Sequence, residues 1–191
     1  MHDFIAVLRF LASPSPTVRP DPVPALATSL DSATAAPLQG CIVSRRIILF
    51  VASGAGLGYA PFASGTFGSL LGIVLYLALL QVTTSVLPTL VLLAIATGAA
   101  IAIAGRADAI LQQHDSGKIV IDEIVGMAIA LAGFAPTWLN VIAIFLIFRV
   151  LDVVKPWPAS HFDRAVPGGA GVVLDDVVSG VYANLIARVL L

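Results

Sequence analysis

Charge in this chain is concentrated at three junctions, and the apolar runs between them restrict the fold more than any other feature. Uninterrupted apolar segments cover 66–81 and 89–105, and shorter ones lie near 120–134 and 141–151. The turns at 82–88 and 135–140 carry no charge, whereas the junctions at 45–66, 106–123 and 149–176 carry nearly all of the charge found beyond residue 44. Such runs need a non-aqueous surrounding. The chain is 59% hydrophobic and 11% charged, with a mean hydropathy of +1.01. Soluble domains are only about 45–50% apolar on a related count, so the composition is that of a membrane protein. If each run crosses or dips into a bilayer and returns, the three junctions share one side. They hold Arg45, Arg46, Arg106, Lys118, Arg149, Lys155 and Arg164, and an excess of basic residues marks the cytoplasmic side. The later segments are short: a helix of about 15 residues spans only about 22 Å. The expectation is an all-α, membrane-associated, multi-pass helical bundle, part of it shallow.

Residues 1–44 read differently. Six of the twelve prolines fall here among Ala, Ser, Thr and Asp, which predicts a disordered Pro/Ala-rich extension without chemistry, and places the folded domain at 45–191. The single cysteine, Cys41, lies in this extension, so no internal disulfide is available. A net charge of -1 offers no basic surface for nucleic acid.

Within the apolar body, 149–176 is a polar island. It carries Arg149, Asp152, Lys155, His161, Asp163, Arg164, Asp175 and Asp176. Arg149 and Asp152 are three apart and share a helix face, which Lys155 continues until Pro156 and Pro158 stop the helix. Gly168, Gly169 and Gly171 suggest a flexible approach to a second helix opening at Asp175 and Asp176, where carboxylates suit the N-terminal dipole. Asp122 and Glu123 form another acidic pair in the second junction. The glycines between Gly54 and Gly68 can present backbone N–H groups to a phosphate, or simply allow close helix packing.

Several carboxylates at one junction need a counter-charge, because two of them about 4 Å apart repel by roughly 4 kcal/mol at an effective dielectric near 20. One solution is a hard divalent cation, and magnesium is the usual one where phosphate is the substrate. The other is a set of salt bridges to Lys118, Arg149, Lys155 and Arg164, cations that would equally clamp a phosphate. Cys41 in the extension rules out a cysteine-nucleophile phosphatase. No Asp-x-Asp motif supports an aspartyl-phosphate enzyme, and no paired-histidine signature supports a histidine nucleophile.

Four motifs then fall in order: GTFGSL at 65–70, HDSGKIVIDEIVGM at 114–127, FRVLDVVKPWP at 148–158 and GGAGVVLDDVVSG at 168–180. Together they resemble the phosphatidylglycerophosphatase A family over about 47–191. The resemblance implies a helical bundle in the bacterial inner membrane with its active site on the cytoplasmic side. It implies a Mg²⁺-dependent lipid phosphatase that converts phosphatidylglycerophosphate to phosphatidylglycerol, with the phospholipid and the membrane as partners and room for a homo-oligomer. Asp122, Glu123, Asp152, Asp175 and Asp176 match the metal and catalytic carboxylates. Arg149 and Lys155 match phosphate ligands, and Gly65, Thr66 and His114 are expected beside the substrate. A metal-activated water would attack the phosphorus.

Two other classes compete. An ion-coupled transporter also places acids in membrane segments, but it predicts them in mid-segment within inverted repeats, and here they lie at segment ends without a repeat. A non-catalytic membrane scaffold gives no reason to cluster acids and bases on one side.

Overall fold

A computed structural model describes residues 44–112 and 116–191, and every described element is helical. Helix α1 covers 44–52 and a single 3-10 turn follows at Leu57–Tyr59. Then come α2 (Ser64–Val82), α3 (Val86–Leu111), α4 (Ile121–Leu131), α5 (Trp138–Val154), α6 (Ala159–Ala165) and α7 (Gly169–Leu190). The expected all-α bundle is therefore what the chain forms. The extension that the sequence predicts to be disordered lies outside the described residues.

Helix α4 is the centre of the bundle. With 11 residues it is only about 16 Å long, and it is buried almost all round: Ile121, Asp122, Val125, Gly126, Met127, Ala128, Ala130 and Leu131 are all buried. It packs against α2, α3, α5 and α7. Small residues bring these helices together. On α2, a Cβ added to Gly72 would lie 2.6 Å from the Ile124 carbonyl oxygen. On α7, a Cβ added to Gly180 would overlap the Gly126 carbonyl, and one on Gly126 would sit 2.8 Å from the Asp176 carbonyl oxygen. This backbone-to-backbone approach is how helices associate where lipid gives no hydrophobic drive.

The far end of α4 is closed by α7. Asn184 Nδ2 donates to the carbonyls of Ala130 and Ala132, both at 2.9 Å, and Arg188 Nη2 donates to Ala132 at 3.1 Å. A helix leaves its last carbonyls unpaired, and a cation there also complements the dipole. Tyr76 adds a 2.7 Å bond from its hydroxyl to the Phe134 carbonyl.

The outer surface is apolar. Leu70, Val74 and Leu77 on α2, Leu87, Val91 and Ile95 on α3, and Leu146, Val150 and Val153 on α5 are all exposed. Among the described residues, three helices are long and apolar enough to cross a membrane: Ser64–Val82, Val86–Leu111 and Gly169–Leu190. An exposed apolar surface of this extent is expected where lipid, not water, is the solvent.

Two local expectations change. Helix α3 runs on to Leu111, so Arg106 and Asp108 belong to its last turns and not to a loop. Helix α7 opens at Gly169, which puts Asp175 and Asp176 in its second turn, with no acid in the first. The glycines are there for proximity: a Cβ at Gly169 would meet the backbone of Ile101 and Gly105 on α3, and one at Gly171 would meet the Val166 carbonyl. Of that cluster, only Gly168 takes a left-handed backbone, with φ of 70°.

Candidate active site

The site forms where the first turn of α4 meets the start of α2, the end of α5 and the second turn of α7. Asp122 and Glu123 lie in the first turn of α4, where the helix dipole favours carboxylates, and the Glu123 N–H donates to Asp122 Oδ1 at 3.0 Å. Because Gly126 and Gly180 allow α4 and α7 to touch, Asp176 reaches the same place. Asp122, Glu123 and Asp176 each offer an oxygen, and the three oxygens lie within 4.8 Å of one another. Asp122 and Asp176 are 6% and 3% exposed, so these charges are shielded from water.

Burial, then the Glu123 charge beside it, pushes the Asp122 carboxyl well above the usual carboxylate range. Burial pushes Glu123 up as well, against the pull of its hydrogen bond to Asp122. Glu123 Oε2 and Asp176 Oδ1 are buried and have no hydrogen-bond partner among the described residues. Buried acids with unused lone pairs at such mutual distances suit a hard cation, and the all-oxygen donor set fits one.

The other expected residues surround this group. Asp152 lies within hydrogen-bonding reach of Asp176 and is close enough to Glu123 to raise its proton affinity. Arg149 pairs with Asp152 one turn away on α5, and its Nη1 is 3.5 Å from Ser69 Oγ on α2. Asp175 points elsewhere: its Oδ2 forms a 2.7 Å ion pair with Lys155 Nζ, just past the end of α5. Gly65 is in the site because nothing larger fits, and Thr66 follows it, half-buried, in the first turn of α2. No side chain caps that helix start. His114 lies outside the described residues.

Sequence reasoning passed over Ser69. It is fully buried, donates to the Gly65 carbonyl at 2.9 Å and approaches Arg149. Its signal was its spacing: four residues after Gly65 in GTFGSL, it returns to the same helix face.

The Gly65 contact gives a test. A Cβ there would lie 2.6 Å from Glu123 Oε1 and 3.1 Å from both Arg149 Nη atoms. Gly65→Ala is expected to displace both side chains and to lower turnover by about 10²-fold, the scale of a 1 Å misplacement, while the protein stays folded. Unchanged turnover in the purified variant would remove Gly65 from the site.

Fold and site together define a class: a membrane-embedded helical protein with a buried carboxylate centre, flanked by basic side chains, at one end of the bundle. The chain belongs to the phosphatidylglycerophosphatase A family, whose model matches residues 50–191. It is 41% identical over 135 residues to the phosphatidylglycerophosphatase A of Escherichia coli strain K12, covering 70% of this chain and 77% of that protein. It is 35% identical over 140 residues to the phosphatidylglycerophosphatase A of Haemophilus influenzae, covering 73% and 85%. A Bacteroides thetaiotaomicron protein provisionally named a phosphatidylinositol-3-phosphatase is 34% identical over 147 residues, covering 74% and 91%. No solved structure matches the chain.

Proposed function

We propose that this chain is a magnesium-dependent phosphatidylglycerophosphatase. It hydrolyses the terminal phosphomonoester of phosphatidylglycerophosphate on the cytoplasmic face of the bacterial inner membrane, and 45–191 is its catalytic domain. The observation that carries this reading is the convergence of Asp122, Glu123 and Asp176 beside Arg149 in a member of this family.

Asp122, Glu123 and Asp176 would hold the ion, with Asp152 adjoining. An ion held there would supply positive charge to the phosphoryl oxygens and would acidify the attacking water. The chain's own residues do the rest. Arg149, braced by Asp152 and approached by Ser69, presents a planar fork of donors to the phosphate. Lys155, anchored by Asp175, adds a second cation. The start of α2, which no side chain caps, lies beside this group, and a helix N-terminus favours an anion. A carboxylate takes a proton from water as its oxygen joins phosphorus. The bond from phosphorus to the glycerol oxygen breaks, and the proton held by that carboxyl passes to the departing glycerol oxygen, leaving phosphatidylglycerol and inorganic phosphate.

Sealed inner-membrane vesicles test substrate, metal and side at once. Inside-out vesicles are expected to release phosphate from phosphatidylglycerophosphate added outside, to lose this with a magnesium chelator, and to prefer it over phosphatidylinositol 3-phosphate. Equal release from right-side-out vesicles would refute the cytoplasmic site, and release that survives chelation would refute the metal.

A further inference from the structure

The family reading leaves open how a lipid with two acyl chains reaches carboxylates buried inside a helix bundle. One face of α5 bears on this. Leu146 and Val150, four residues apart, form a ridge on its outer surface, exposed by 57% and 61%. A cavity lies on each side of it. One, of about 300 Å³, is lined by Leu146, Ile147, Val150, Leu151 and Ile186, all apolar. The other, of about 330 Å³, is lined by Leu146, Arg149, Val150, Val153 and Val154. Each volume is at the lower end of the range of about 300–1,000 Å³ typical of ligand sites.

Arg149 sets this face apart. Among the described residues it is the only charged one lining either cavity, and the same guanidinium pairs with Asp152 and approaches Ser69 in the site. An apolar double trough thus runs into Arg149, a cation that also belongs to the catalytic end. A further apolar cavity of about 230 Å³ meets a cation at Arg188. That guanidinium, however, is committed to Ala132 and Asn184 at the opposite end of α4, away from the carboxylates.

We propose that the phospholipid substrate enters sideways from the bilayer along α5, its two acyl chains straddling the Leu146–Val150 ridge while Arg149 draws the phosphate inward. This rests on the lipid-phosphatase reading above and adds the acyl subsite. Chain contacts made equally in the ground and transition states change KM and leave kcat alone.

The test is Val150→Trp, which fills both troughs from an exposed position without adding charge or disturbing the core. It is assayed on diacyl phosphatidylglycerophosphate and on the water-soluble deacylated headgroup with the same phosphomonoester. KM for the diacyl lipid is expected to rise by about tenfold or more, since each displaced methylene loses burial, while kcat and hydrolysis of the deacylated compound stay within about twofold. Ile95→Trp on α3, at a residue 64% exposed and lining neither cavity, is expected to change neither. Val150→Phe serves as a smaller filler should the tryptophan variant insert poorly. An unchanged diacyl KM, or equal losses on both substrates, would overturn the acyl subsite alone. Wild-type protein inert towards both substrates would overturn the phosphatase reading and this subsite with it.

Discussion

Asp122→Asn and Asp176→Asn should each lower phosphate release by about 10²–10³-fold while leaving the protein folded and inserted. Asparagine keeps the shape of the side chain and one acceptor oxygen but removes the charge. If these carboxylates hold a cation, either loss weakens ion binding and transition-state stabilisation together. The ion-free variants should melt no earlier than the wild type, because neutralising one acid relieves repulsion within a buried group whose oxygens lie within 4.8 Å of one another. Added magnesium should raise the wild-type melting temperature and leave the variants' unchanged, since a ligand stabilises only the state that binds it. Asp175→Asn is the contrast. Its carboxylate pairs with Lys155, so neutralising it weakens that ion pair and should cost stability. Near-normal turnover in Asp122→Asn and Asp176→Asn, or a magnesium-induced shift that survives in both, would end the metal-site assignment.

Much of this arrangement was legible in the sequence, for identifiable reasons. Helices α2 and α5 follow from apolar runs bounded by turns, and the end of α5 follows from Pro156. The acids were visible because an ionisable group in an apolar chain needs a purpose. Their division into Asp122, Glu123 and Asp176 on one side and an Asp175–Lys155 pair on the other was not visible. Neighbours one residue apart on a helix point about 100° away from each other, and only the packing of α7 against α4 decides which faces inward. The glycines misled for a related reason. Sequence gives a glycine's freedom and its smallness equal weight, yet Gly169 and Gly171 are small residues inside a helix and not a flexible lead into it. Ser69 escaped notice because its contribution, a hydroxyl near Arg149, depends on a partner eighty residues away. The central place of α4 was hidden by its length. A segment too short to cross a bilayer reads as a shallow part of the bundle, whereas its shortness lets it sit wholly inside the bundle with its acids at one end.

The crossing of α4 and α7 should be the most sensitive structural point in the molecule. Gly180→Leu is expected to abolish folding or activity outright, because its Cβ alone would overlap the Gly126 carbonyl and no side-chain rotation relieves contact with backbone. Overpacking in a close-packed core costs about 1–3 kcal/mol, and more where the obstacle cannot move. Gly180→Ala should give a graded loss. It forces the helices apart without filling further space, which shifts Asp176 away from Asp122 and Glu123. Turnover should therefore fall more steeply than thermal stability, and a higher magnesium concentration should recover part of it. Gly98→Ala on α3 is the matched control, since nothing lies within 4 Å of a Cβ there and alanine is the better helix former by about 1 kcal/mol. That variant should be at least as stable as the wild type and fully active. Equal behaviour of Gly180→Ala and Gly98→Ala in melts and turnover would show that the α4–α7 approach does not set the geometry of the carboxylates.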